Sequence, residues 1–144
     1  MCIRDSPSVI LYPVLVQVLL TLIVYVRIGM VKTRAAATGN VDLKKTALHS
    51  DAWPDDVLKV SNNLRNQFES PILFYVLCLT LFVTGGVSFF SLLLAWGFVA
   101  TRIAHVFVHT GSNFVPLRRR IFTIGCMFLL VLLGCAGWAV FSAA

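Results

Sequence analysis

Charge is scarce in this sequence, and acid is scarcer. Of 144 residues only 12% are Asp, Glu, Lys or Arg, and six of these are acidic. A soluble domain carries about 25% charged residues, so too few are present here to solvate an ordinary water-facing surface. The shortage of acid also weighs against a proton-coupled exporter, which needs a carboxylate at membrane depth. The first apolar span has none, and the one candidate, Glu69, sits at the entrance of the second. The four cysteines, Cys2, Cys78, Cys126 and Cys135, contain no Cys-x-x-Cys pair. Neither a zinc site nor a disulfide framework is therefore indicated, and the last three read as small buried apolar residues. No small-residue cleavage site follows the first apolar stretch, which ends at Arg27, so no cleavable signal peptide is expected. There is no internal repeat and no low-complexity segment. The opening residues match nothing after them in character, and 1–8 are read as a non-native or disordered lead.

What is present is apolar surface. Hydrophobic residues make up 58% of the chain and mean hydropathy is +0.87, above the usual 45–50% apolar content. The implied solvent is partly lipid. The net charge of +6 does not point to nucleic acid, because the basic residues sit in loops beside apolar spans. There they act as topology signals and anionic-lipid contacts.

A membrane helix needs roughly 20 apolar residues. Four stretches qualify: Val9–Val26, a second ending at Thr84, Phe89–Val108 and Ile121–Phe141. The second is long enough only if its helix starts near Asp55, after Trp53-Pro54, and enters the bilayer around Glu69. Proline and acids at that point mark a helix start, and Pro71 should kink the helix or loosen one turn. Spans two and three, joined through Gly85-Gly86, form an antiparallel hairpin. Thr38-Gly39-Asn40 marks a turn within the long first loop. The expected fold is all-α: a single integral membrane four-helix bundle over 9–144. Arg27, Lys32, Arg34, Lys44, Lys45, Lys59 and Arg65 lie in the first loop, and Arg118, Arg119 and Arg120 in the third. Loops 27–70 and 109–120 are thus expected to be cytoplasmic, with both termini on the opposite side.

Two constellations carry chemistry. On one continuous helix Asn62, Asn66 and Glu69 share a face, and Arg65 and Glu69 are i, i+4 partners. This stripe is either a solvated helix entrance or a polar pocket for a small zwitterionic or anionic ligand. Arg102, His105 and His109 share a face of span three, with Arg102 about two turns below its polar end. An arginine at that depth must face the bundle interior, a partner or water, and an ion pair with Glu69 is one way to hold it. His105 fits an interhelical hydrogen bond. His105 and His109 lack further ligands for a metal. Arg27 and the run Arg118-Arg119-Arg120 after Pro116 are either positive anchors or inward-reaching groups. Gly125, Gly134, Ala136 and Gly137 permit close helix packing.

In combination these features resemble the MAPEG family, the membrane-associated proteins in eicosanoid and glutathione metabolism, over Val9 to Phe141. Arg65-Asn66-Gln67-Phe68-Glu69 followed by Pro71 is similar to the Arg/Asn/Glu cluster that opens helix two and holds glutathione in that family. Arg102-Ile103-Ala104-His105 resembles its Arg-x-x-His in helix three. Arg118 resembles the arginine that faces the thiol at the start of helix four, and Arg27 the arginine closing helix one. The resemblance implies a bacterial-type homotrimer of the inner membrane, with glutathione as co-substrate between subunits and an apolar electrophile arriving from lipid. It assigns Arg118 to catalysis and Arg27, Arg65, Asn66, Glu69, Arg102 and His109 to glutathione. Glu69 would accept from the ligand's amino group, while Asn62 and His105 would be supporting residues. Asn62 and His109 depart from the arginine and tyrosine that characterised enzymes of the family often carry there. A glutathione-dependent transferase or peroxidase therefore stands beside a non-catalytic scaffold that binds lipid or another small molecule.

Overall fold

The computed structural model describes residues 6–144, so the reading of 1–5, Cys2 included, lies outside the described residues. A short 3-10 turn at Pro7–Ile10 leads into α1 (Leu11–Ala37). There follow α2 (Leu43–Leu48), α3 (Asp55–Asn66), α4 (Ser70–Val83), α5 (Phe89–Thr110) and α6 (Val115–Ala143), with no strand among the described residues. Four helical stretches are long and apolar enough to cross a membrane: Pro7–Ala37, Asp55–Val83, Phe89–Thr110 and Val115–Ala143.

Local chemistry explains most of the boundaries. Asp42 caps α2 by accepting from the backbone N–H groups of Lys44 and Lys45, as a short acidic side chain does at an N-cap. Pro54 precedes α3, and Asp55 and Asp56 in its first turn complement the helix dipole. Ser88 and Ser91 form a reciprocal capping box at the start of α5, with N···O distances of 3.1 and 2.9 Å. Pro116 lies in the first turn of α6. Gly39 and Gly85 adopt φ of +72° and +67° after α1 and α4, a backbone state that side-chain-bearing residues reach only with strain.

One expectation needs correction. The first helix does not close at Val26. It continues ten residues past Arg27 to Ala37, so Arg27 ends the apolar span but not the helix. The charges at Arg27, Lys32 and Arg34 are compatible with helix; they only forbid lipid. The long loop is also partly ordered, because α2 and a 3-10 turn at Ser50–Ala52 lie within it. The loosened turn before Pro71 is present at 67–69: Gln67 is still helical, with its N–H on the Asn63 carbonyl at 3.2 Å, and the course breaks at Glu69, with φ −92° and ψ −90°.

Two cores hold the bundle. In one, Phe74, Cys78 and Leu81 of α4 pack with Leu94, Phe98 and Val99 of α5 and Leu129, Leu132 and Ala136 of α6. The rings of Phe74 and Phe98 stack with centroids 4.7 Å apart. Helix α6 lies along α5 and also meets α4. The close approaches are made by residues without bulk. Gly97 faces the Phe128 ring, Gly125 faces Thr101, and Gly86 sits against Ala139. A Cβ added at Gly134 or Gly137 would meet no other helix within 4 Å. The second core gathers at the basic end of the bundle, where Val24, Ile28 and Ala35 of α1 meet Val57 and Val60 of α3 and Val106 of α5. There Lys32 Nζ lies 5.2 Å from the centre of the Trp53 ring, a cation–π contact that ties α1 to the segment before α3. Much of the remaining apolar surface faces outward, including Leu19, Leu22, Leu130 and Leu133.

Candidate functional site

The break between α3 and α4 organises the polar interior. In a continuous helix the carbonyl of Asn66 would accept from the N–H of residue 70. Here Arg102 takes that place, its Nη2 donating to the Asn66 carbonyl at 3.0 Å. The break thus supplies a backbone acceptor at the depth where α5 buries its arginine. Arg102 is 2% exposed, and its partner is this carbonyl rather than the side chain of Glu69, which is exposed. An ion pair with Glu69 is not how the charge is held.

Of the three residues expected on one polar face, Asn66 is half-buried and Asn62 and Glu69 are exposed. Gln67 keeps a helical conformation with its N–H on the Asn63 carbonyl, and the buried positions run on through Val57, Val60, Asn63, Gln67, Ser70 and Phe74, so Glu69 stays on the outward side with Asn62 and Arg65. Asn62, Arg65 and Glu69 are all exposed, whereas Asn63 and Gln67 are buried. Gln67 Oε1 accepts from Gln17 Nε2 of α1 at 2.9 Å, and Gln67 Nε2 approaches Asn63 Oδ1 at 3.4 Å. This amide chain crosses from α1 to α3 in the apolar interior. The sequence offered a signal for it: Asn63 and Gln67 are also i, i+4, and Gln17 is a lone amide in span one.

Arg102, His105 and His109 do share a buried face. The imidazoles of His105 and His109 meet edge to face, 5.4 Å between centroids, and His105 also lies near the Phe122 ring of α6. His109 Nδ1 stands 3.4 Å from Asn66 Nδ2. Asn66 thus bonds on both sides of its Cα, backbone to Arg102 and side chain to His109.

At the basic end, Arg27 Nη1 donates to Thr110 Oγ1 at 2.7 Å, and the Thr110 hydroxyl donates to the Val106 carbonyl. This chain joins α1 to the last turn of α5. Arg118 Nη1 donates to Asn113 Oδ1 at 2.7 Å. Asn113 has φ +50°, a left-handed conformation that asparagine tolerates. Of the three consecutive arginines, Arg118 is half-buried while Arg119 and Arg120 are exposed. Arg118 faces a cleft of about 280 Å³ lined by Asp55, Leu58, Lys59, Asn62, His109, Asn113 and itself. Arg119 and Arg120 line a separate surface groove with Pro116, Thr123 and Ile124.

The structure therefore brings Arg118, His109 and Asn62 to one cleft, with Asn66, Arg102 and His105 directly behind His109. It leaves Arg27 on a neighbouring contact and Arg65 and Glu69 outside. The family model described as the MAPEG family matches residues 10–138. The chain belongs to the MAPEG family. No curated protein and no solved structure matches it. The match spans all four apolar helices and every site residue from Arg27 to Arg118. This MAPEG protein is accordingly an integral membrane protein, in a family that includes glutathione transferases and peroxidases together with non-catalytic members.

Proposed function

We propose that this MAPEG protein is a glutathione-dependent transferase or peroxidase whose thiol site is the cleft beneath Arg118. The observation that carries the reading is the pairing of a half-buried Arg118 with buried His109 at one polar cleft, in a chain otherwise dressed for lipid. A guanidinium beside a thiol lowers the thiol's pKa and stabilises the thiolate. The thiolate then attacks an electrophilic carbon, forming a thioether, or reduces a hydroperoxide. Arginine and lysine at the cleft suit the ligand's carboxylates through charge-assisted hydrogen bonds. The apolar electrophile would arrive laterally, dissolved in the bilayer.

Arg65 and Glu69 fit this reading only if another copy covers the face on which they are exposed. A homotrimer with ligand between subunits, as the resemblance implies, would do so. The basic loops at 27–70 and 109–120 favour a cytoplasmic placement of the cleft in a bacterial inner membrane, by the positive-inside rule.

A second reading has its own observation. Asn62 replaces a charged residue often found in characterised enzymes of the family, His109 replaces a tyrosine, and the Arg118 guanidinium is already engaged by Asn113. These favour a scaffold that binds lipid or another small molecule without activating a thiol. A glutathione titration of the detergent-solubilised protein, followed by ultraviolet difference absorbance of the thiolate, separates the two. A saturable signal lost in Arg118→Ala supports the enzyme. A folded protein with no signal supports the scaffold.

A further inference from the structure

Arg119 and Arg120 take no part in the cleft, and neither does the face of α6 that carries them. Because α6 is one continuous helix, Arg120 lies about 200° round its axis from Arg118, on a different surface. On that far side Arg119 and Arg120 stand with Pro116, Thr123 and Ile124 around an open groove of about 560 Å³. Among the described residues its lining holds two guanidinium groups and no carboxylate. The Thr123 hydroxyl donates to the Arg119 carbonyl at 3.0 Å, so the guanidinium groups are the donors the groove offers. Away from the polar end the same face continues as Ile124, Met127 and Val131, at i+4, i+7 and i+11 from Arg120, and all three are exposed. Gly134 comes next along it, and a Cβ there would meet nothing within 4 Å. The close approach that this glycine permits is therefore not used by any helix among the described residues.

Arg120 directly precedes the charge-free run that starts at Ile121, which sets both guanidinium groups at the edge of the hydrocarbon layer. The anion abundant at that depth is a lipid phosphate, and basic pockets on membrane helices are where anionic head groups collect. Guanidinium forks match phosphate oxygens two at a time. The exposed apolar track beneath them suits an acyl chain, which a free anion lacks. We infer that this outer face of α6 is a binding site for an anionic glycerophospholipid. Arg119 and Arg120 hold its phosphodiester, and Ile124, Met127 and Val131 seat one acyl chain, which runs on past Gly134. The site is turned away from Arg118, so the lipid it holds is a resident of the fold and not a substrate of the cleft. The inference is independent of the glutathione reading.

The test uses the full chain, delipidated in detergent, and native mass spectrometry with three probes. These are phosphatidylglycerol, phosphatidylcholine with the same acyl chains, and glycerophosphoglycerol, which is the first head group without its chains. The unmodified protein should bind phosphatidylglycerol at least about tenfold more tightly than phosphatidylcholine. Glycerophosphoglycerol should not compete at concentrations where the lipid saturates. The double variant Arg119→Gln/Arg120→Gln should bring the preference to near unity. Lys44→Gln/Lys45→Gln, which removes as much charge from α2, should keep it. Gly134→Leu, which fills the track, should weaken both lipids alike. All the substituted positions are exposed, and each preference is a ratio on one protein, so partial loss of fold cancels. A preference that survives Arg119→Gln/Arg120→Gln, or is lost in Lys44→Gln/Lys45→Gln, overturns the site. Equal competition by glycerophosphoglycerol overturns it too, since the groove would then read a phosphate ester and not a lipid. If a second copy covers this face instead, Arg119→Gln/Arg120→Gln will change the oligomeric mass without changing the lipid preference, and the proposal falls.

Discussion

Arg102 and Arg118 serve neighbouring helices of the same polar end, yet they are held in opposite ways. Arg102 is buried two turns into the bundle and bonds a backbone carbonyl that the helix break has released. Arg118 is half-buried at a cleft mouth and bonds the side-chain amide of a loop residue. A buried carbonyl left bare costs the full desolvation of that group, whereas an amide at a surface can turn to water. The Asn66 carbonyl thus ties one arm of Arg102 to the fold, while its buried Nε has no partner among the described residues; the partner of Arg118 is one that a ligand could replace. The two residues share a chemistry; what their partners would lose on separation decides their roles.

The comparison can be broken by substitution. Arg102→Met leaves the Asn66 carbonyl without a donor and should lower stability by about 3 kcal/mol. It would be read as a clear fall of the thermal midpoint in detergent. A midpoint equal to the parent's would mean that the carbonyl is satisfied in some other way. Arg118→Ala should leave that midpoint nearly unchanged and lower glutathione-dependent turnover about 100-fold, equivalent to about 2.7 kcal/mol at the barrier. If instead stability fell and turnover did not, the two arginines would have changed places. A control away from both sites is Gly97→Val, which pushes a side chain into the Phe128 ring, already 2.8 Å from where a Cβ would lie. Overpacking of this kind costs about 2 kcal/mol, measurable as a lowered midpoint with ligand affinity per folded molecule unaltered. The smallest effect is expected at the amide chain. A double-mutant cycle on Gln17→Leu and Gln67→Leu should give a coupling near 0.6 kcal/mol, typical of polar contacts between membrane helices. A coupling indistinguishable from zero would remove this pair from the forces that join α1 to α3.

The four spans were legible because each is a long apolar run with charge only at its ends. The start of α3 was legible from Trp53-Pro54-Asp55-Asp56, and the burial of Arg102, His105 and His109 from their shared face. The extension of α1 to Ala37 was not. Charge marks where lipid ends, and Arg27, Lys32 and Arg34 allow the helix to go on past that point. The stripe Asn62, Arg65 and Glu69 is exposed, and the polar groups this stretch buries, Asn63 and Gln67, lie on the opposite side of the same helical turn. Pro71 announced a disturbance there but not that the Asn66 carbonyl would be released to Arg102. Gln17, Asn63 and Gln67 became visible as a group only once α1 and α3 were placed side by side. Lys59 looked like one more loop cation until the start of α6 brought Arg118 to the same cleft.

Pro71 and Arg102 sit on different helices, thirty-one positions apart in the sequence, yet both bear on one interruption, the start of α4 that leaves the Asn66 carbonyl to Arg102. A lineage that loses the arginine no longer has any use for an interrupted α3–α4 segment and is free to straighten it. One that replaces the proline and closes the turn would strand a guanidinium in the bilayer. The two positions should therefore be retained or abandoned together as this chain diverges.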